Sequence, residues 1–258
     1  MRENYGTALI TGGGSGIGRA AALTLAQRGA RVVVTDLRLE SAIEVAREIK
    51  AAGGEAIGIA LDVGDAASIL SGFDRTEAEF GNVDVLVNSA GLLLVEPLLS
   101  FSPESWERVM RVNVTGTFLA SQRAAQGMAE RGYGRIVNIT SVSGLRAGVG
   151  RTAYGTSKAA IIGLTRQFAL ELGPLGVTAN AIAPGAIETP MTLGTYSDET
   201  WENILAMVPT KRRGTPQDIA EAIAYIASPA ASYVNGETLT VDGGYVAAGM
   251  TQTGRLRV

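Results

Sequence analysis

Short runs of β-branched and aliphatic residues recur along the 258-residue chain: TALIT (7–11), RVVVT (31–35), AIGIAL (56–61), VDVLVN (83–88), RIVNIT (135–140), VTANAIA (177–183) and TLTV (238–241). Most are apolar at nearly every position instead of alternating with polar residues, which marks strands buried on both faces. Longer Ala-rich stretches compatible with helices separate them. Strands alternating with helices predict a parallel sheet covered on both sides, and right-handed crossovers make it doubly wound. The expected fold class is therefore α/β, a single-domain doubly wound parallel sheet of about seven strands. No Pro- or Ser-rich linker, low-complexity tract or internal repeat divides it, so residues 1–258 read as one domain. Residues 152–172 have helical spacing, with Ile161, Leu164, Phe168 and Leu172 marking the expected buried stripe.

One segment breaks the rhythm. Residues 186–213, AIETPMTLGTYSDETWENILAMVPTKRR, fall between the sixth strand and the next helix and carry Tyr196 and Trp201. An excursion of that length after a strand suggests a lid over a site.

Composition narrows the function classes. With 46% hydrophobic and 18% charged residues the chain is a packed globular protein, and its net charge of −3 offers no basic surface for nucleic acid. The triplet Lys211, Arg212, Arg213 is its longest basic run. No stretch reaches the roughly 18 apolar residues of a membrane span. MRENY at the start is charged and leads directly into the first strand, so a cytoplasmic protein without a signal peptide is expected. There is no histidine and no cysteine, which removes thiol nucleophiles, disulfides and Cys/His metal sites, so no metal is expected. Acid–base work must come from carboxylates, Lys or Tyr.

The stretch TGGGSGIG (11–18) comes straight off the first strand and opens an Ala-rich helix near Ile17. Glycines let backbone N–H groups approach a pyrophosphate, and the helix start adds partial positive charge. The spacing Gly12, Gly16, Gly18 departs from G-x-G-x-x-G. Asp36 ends the second strand, where a carboxylate accepts hydrogen bonds from ribose hydroxyls and repels a 2′-phosphate. Arg38 keeps the opposite preference open. Asp62 ends the third strand, placed to meet an adenine.

In AYGTSKAA (153–160), Tyr154 and Lys158 stand at i and i+4 and share a helix face. As a bare pair they would be an ordinary surface pair. A cation beside a phenol favours the phenolate, and bringing a tyrosine from about 10 to about 7 takes roughly 4 kcal/mol.

From end to end the chain resembles the short-chain dehydrogenase/reductase family, through TGGGSGIG, Asp36, LDV (61–63), NSAG (88–91), Asn113 in VNVTG, ITSVSG (139–144), YGTSK (154–158), PGAIET (184–189) and VDGGY (241–245). NSAG carries Ser89 where the family has a second asparagine. The resemblance implies a Rossmann fold that binds a nicotinamide dinucleotide and exchanges hydride between NAD(H) and a secondary alcohol or ketone. It assigns Ser141 to the substrate oxygen, Tyr154 to proton exchange, Lys158 to lowering the pKa of Tyr154 and holding the nicotinamide ribose, and Asn113 to a proton-relay water. Gly12, Ser15, Gly16, Ile17, Gly18, Asp36, Asp62, Val63, Asn88, Ala90, Gly91, Pro184 and Gly185 would line the cofactor site, with Ile187 and Thr189 at the carboxamide.

The substrate pocket is expected between Leu92–Val95, Val142–Arg151 and the lid, with Leu93, Leu94, Leu145, Val149, Met191, Leu193, Trp201 and Met207 as apolar walls. Arg146 and Arg151 read as surface arginines, with contact to a carboxylate or phosphate as the alternative. The resemblance further implies a homotetramer pairing through helices near 114–131 and 152–172 and the C-terminal strand, aided by the apolar ending GGYVAAGM. NAD is the expected cofactor and NADP the lesser alternative. Two other functions stay open: an NADPH-dependent 3-oxoacyl thioester or other carbonyl reductase, and a non-catalytic dinucleotide-sensing protein.

Overall fold

The computed structural model describes residues 5–249. Met250, the last residue of the apolar ending expected at the tetramer contact, lies outside these residues. The elements alternate as the hydrophobic runs predict. The first half comprises β1 (Thr7–Thr11), α1 (Gly16–Gln27), β2 (Arg31–Asp36), α2 (Leu39–Ala51), β3 (Glu55–Ala60), α3 (Ala66–Phe80) and β4 (Val85–Asn88). The second half comprises α4 (Pro103–Met110), α5 (Gly116–Arg131), β5 (Gly134–Ile139), α6 (Thr152–Leu172), β6 (Val177–Pro184), α7 (Pro190–Leu193), α8 (Asp198–Met207), α9 (Pro216–Ala227) and β7 (Thr238–Val241).

All seven strands pair in parallel, in the order β3-β2-β1-β4-β5-β6-β7. This is the expected doubly wound sheet. Successive side chains explain the continuous apolar runs. Ile10, Val32, Val34, Val85 and Val87 pack under α1, α2 and α9, while their neighbours Leu9, Val33 and Leu86 pack under α3 and α5 on the other face. Every position of β1, β4, β5 and β6 is buried, so none of these strands needs a solvent-facing polar row.

The order reverses at β1, whose neighbours are β2 and β4. Chains leaving β1 and β4 diverge there and open a crevice at the carboxyl ends of the strands, the place where open α/β sheets bind ligands. Between α4 and α5 the helix widens to a π-turn over Arg111–Thr115. The excursion after β6 folds into α7 and α8, and its two ends are held together by a parallel bridge between Ile187 and Gly214.

The stripe expected on α6 is displaced. Ile161 is buried, but the helix buries its Ala153, Ser157, Lys158, Ile162, Thr165 and Ala169 face, while Leu164, Phe168 and Leu172 are only half-buried. Polar side chains occupy the inner face because they have partners there, which spacing of apolar residues alone does not reveal.

Candidate active site

The glycine turn is shaped by close approach. Gly12 has φ +64°, and a Cβ on it would lie 2.8 Å from Ala90 Cα; a Cβ on Gly18 would lie 2.2 Å from the Gly12 carbonyl oxygen. These contacts seat α1 tightly against the turn. Ser15 is its N-cap residue with extended backbone, yet its side chain makes no capping bond. The first N–H groups of α1 are thus left for another acceptor, as a pyrophosphate site requires. Asp36 is fixed beside the turn, its two oxygens accepting from Gly14 N and Arg38 N at 3.1 Å each. Asp62 accepts from Gly64 N at 2.8 Å.

A cavity of about 670 Å³ runs from this turn across the crevice. Its wall includes Gly12, Ser15, Gly16, Ile17, Gly18, Asp36, Asp62, Val63, Ala90, Gly91, Ser141, Tyr154, Lys158, Pro184, Gly185, Ile187 and Thr189. Asn88 and Asn113 are absent from that wall and act from behind it. Asn88 donates to Ser121 Oγ at 2.9 Å and Asn138 Oδ1 at 2.8 Å, and Asn138 donates on to Thr165 Oγ1 at 2.9 Å. This buried polar chain ties β4 and β5 to α5 and α6. Asn113, fully buried in the π-turn, accepts from Leu92 N at 2.7 Å and donates to Leu92 O at 3.0 Å and Ser157 Oγ at 2.9 Å.

Ser141 leaves β5 in an extended conformation and accepts from Ser143 N at 3.0 Å. Tyr154, in the first turn of α6, hydrogen-bonds Ser141. One turn later Lys158, 4% exposed, places its Nζ 5.7 Å from the Tyr154 ring centroid and donates to Ile139 O at 2.8 Å. Ser157 links the two halves, since its hydroxyl donates to Tyr154 O at 2.7 Å while receiving from Asn113. Ser157 is not among the residues to which the family motifs give a role, although a serine four residues before Ile161 on the buried face is a visible signal.

Burial governs the acid–base groups. It pushes the Tyr154 phenol above its ordinary value, opposed by the Ser141 hydrogen bond and the charge of Arg151, and it brings the Lys158 ammonium down to about 8. Desolvation leads at Tyr154, where the opposing groups are Ser141 and Arg151, while the Lys158 ammonium donates to the Ile139 carbonyl.

A family model described as "Enoyl-(Acyl carrier protein) reductase" matches residues 12–246. The chain belongs to the short-chain dehydrogenase/reductase family. It is similar to the Short-chain reductase protein NovJ of Streptomyces niveus, 41% identical over 243 residues, covering 92% of each chain. It is equally similar to the 3-oxoacyl-[acyl-carrier-protein] reductase FabG of Escherichia coli, 41% identical over 237 residues, covering 92% of this chain and 96% of the relative. The solved structure of a gluconate 5-dehydrogenase from Burkholderia cenocepacia, in complex with NADP and tartrate, superposes with a TM-score of 0.90 at 36% identity, covering 94% of this chain and 95% of that one.

The substrate half of the crevice is walled by loops and by the excursion after β6, and here the structure departs most from the expected wall. Leu93, Val149 and Met191 line the cavity, but Leu94, Leu145, Leu193, Trp201 and Met207 do not. Trp201 is instead the buried anchor of the excursion after β6, 2% exposed, with Tyr196 edge-on at 5.2 Å and the Arg213 guanidinium over its ring at 4.4 Å. Arg151, read as a surface residue, turns inward: its guanidinium lies 5.9 Å from the Tyr154 ring centroid and donates to Tyr196 Oη. Thr192, Thr195, Tyr196, Thr200 and Ser143 add hydroxyls, so the wall is more polar than expected.

Proposed function

We propose that the protein oxidises a secondary alcohol, or reduces the matching ketone, with NAD(H). The observation that carries this reading is the convergence of Ser141, Tyr154 and Lys158 on one crevice whose other end is the glycine turn. When bound, the nicotinamide supplies the acceptor for the carbinol hydrogen and its electron pair. The residues present fit such a group: an uncapped helix start for the pyrophosphate, Asp36 for ribose hydroxyls, and Lys158 beside Tyr154. Ser141 holds the substrate oxygen. Tyr154 takes its proton during oxidation and returns one during reduction. Asn113 clamps Leu92 and, through Ser157, the first turn of α6, so it positions Tyr154 from behind and stands where a relay water would be anchored.

The preference for NAD rests on Asp36. Its carboxylate faces the cavity and Leu37 is the neighbouring wall residue, while Arg38 is not part of the wall. A 2′-phosphate would meet negative charge there. The FabG relatives and the NADP held by the gluconate 5-dehydrogenase favour a second reading, NADPH-dependent reduction of a 3-oxoacyl thioester or similar carbonyl. Initial rates with NAD(H) and NADP(H), on secondary alcohols and on 3-oxoacyl thioesters, separate the two; a strong NADP(H) preference overturns the first. Tyr154→Phe should abolish turnover while dinucleotide binding persists, and turnover of any of these substrates disposes of a purely sensing role. The proposal includes a homotetramer in the cytoplasm, where the reaction has a dinucleotide pool to draw on.

A further inference from the structure

The two ends of the cavity differ in charge in a way that hydride transfer does not require. Its carboxylates are Asp36, which ends β2, and Asp62, which follows β3, whereas its cations are Arg108, Arg146, Arg151 and Lys158. Lys158 already has the Ile139 carbonyl as acceptor. Arg151 also stands by the reacting phenol, 5.9 Å from its ring centroid, and its partners are neutral: Tyr196 Oη, and Ser143 Oγ at 3.5 Å. It joins none of the ion pairs among the described residues. A half-buried guanidinium with five N–H donors and only hydroxyl partners is under-satisfied, and a carboxylate is the acceptor that matches its planar fork.

The lid reinforces the assignment. Tyr196 sits 5.1 Å from the Arg151 guanidinium and edge-on to Trp201, which lies under Arg213. Cations and rings therefore form one chain of contacts from Arg213 through Trp201, Tyr196 and Arg151 to Tyr154. A ligand that engages Arg151 is felt at Trp201.

We propose that Arg151, with the hydroxyls of Ser143 and Tyr196, binds a carboxylate of the substrate, so that the alcohol oxidised is a small hydroxy acid. This rests on the dehydrogenase reading above and names its substrate class. The Arg151 guanidinium lies only 5.9 Å from the centroid of the Tyr154 ring, so the carboxylate and the carbinol belong to one compact molecule. The acyl chain of a thioester brings no anion to this point.

The test uses 2-hydroxypropanoate, 3-hydroxybutanoate and 4-hydroxypentanoate, each beside its methyl ester, with the NAD-saturated protein. Binding is read by tryptophan fluorescence and turnover by NADH formation. At least one acid should bind at least about tenfold more tightly than its ester, the scale of a charge-assisted hydrogen-bond pair. Arg151→Gln should bring that ratio close to one, Arg151→Lys should restore part of it, and Tyr196→Phe should lower acid affinity several-fold. The proposal is overturned if no acid binds, if acid and ester bind alike, or if Arg151→Gln weakens both equally, as a merely structural arginine would. Acid binding without turnover by either dinucleotide leaves the carboxylate site standing and sinks the dehydrogenase reading. Turnover of esters in preference to acids does the reverse.

Discussion

A buried lysine whose folded pKa is about 8 costs stability at neutral pH, because the unfolded chain holds its proton up to the ordinary 10.5. Between those values the unfolded state binds more protons, so stability rises with pH across the window, by about 3 kcal/mol for Lys158 alone. Tyr154 acts in the opposite sense: its raised pKa lowers stability only above its ordinary 10.0. Urea denaturation at pH 7, 8, 9 and 10 should therefore show a rise that is flattened in Lys158→Met. An equal rise in both proteins would show that the lysine is not desolvated. At the glycine turn, a Cβ at Gly18 has 2.2 Å to the Gly12 carbonyl. Gly18→Ala should cost about 1–3 kcal/mol of overpacking and weaken dinucleotide binding together, whereas a loss of binding with unchanged stability would mean the turn can shift. Tyr154 and Lys158 were legible in the sequence because a helix fixes the i and i+4 relation. Arg151 was not, since the direction of a loop side chain depends on the lid that meets it, 45 residues further along the chain.

Elements were legible to within a residue or two wherever the apolar run was long, and for a physical reason: a strand buried on both faces needs every position. The excursion after β6 was legible as one piece but not as two helices, because its apolar residues serve its own packing more than the crevice. Trp201 is the example, expected on the pocket wall and found as the anchor beneath Tyr196 and Arg213. Truncating it removes the contacts that hold α8 against the rest, at a cost of about 3–5 kcal/mol that falls on the lid. Trp201→Ala should gain a proteolytic cleavage within residues 190–213 and raise KM severalfold, with the global denaturation midpoint moving less than the lid cost implies. If cleavage is unchanged and the whole protein is destabilised by the full amount, the lid is not a separate cooperative unit.

At the scale of the molecule, the sheet accounts for the interior and leaves one surface unexplained by it. On α5 and α6, Phe118 is 37% exposed and stacks on half-buried Phe168 at 6.3 Å, while Leu170 is 74% exposed. Leu164 and Leu172, read from the sequence as core, are half-buried on that same helix. An apolar stripe carries such residues either to meet a core or to meet another chain; Phe168 and Leu172 pack in part against the core of Ala120, Ala124, Met128 and Ala169, and what they leave exposed, with Leu170, is free to meet another chain. The displaced stripe therefore bears on the proposed tetramer, whose pairing the family resemblance puts on these two helices. Light scattering at micromolar concentration should give a mass near four times 26.7 kDa. Phe168→Glu should reduce it, since a charge buried unpaired in an isologous contact is repeated on both subunits. A single-chain mass for the unmodified protein would remove the tetramer, and a mass that Phe168→Glu leaves intact would move the contact to another face.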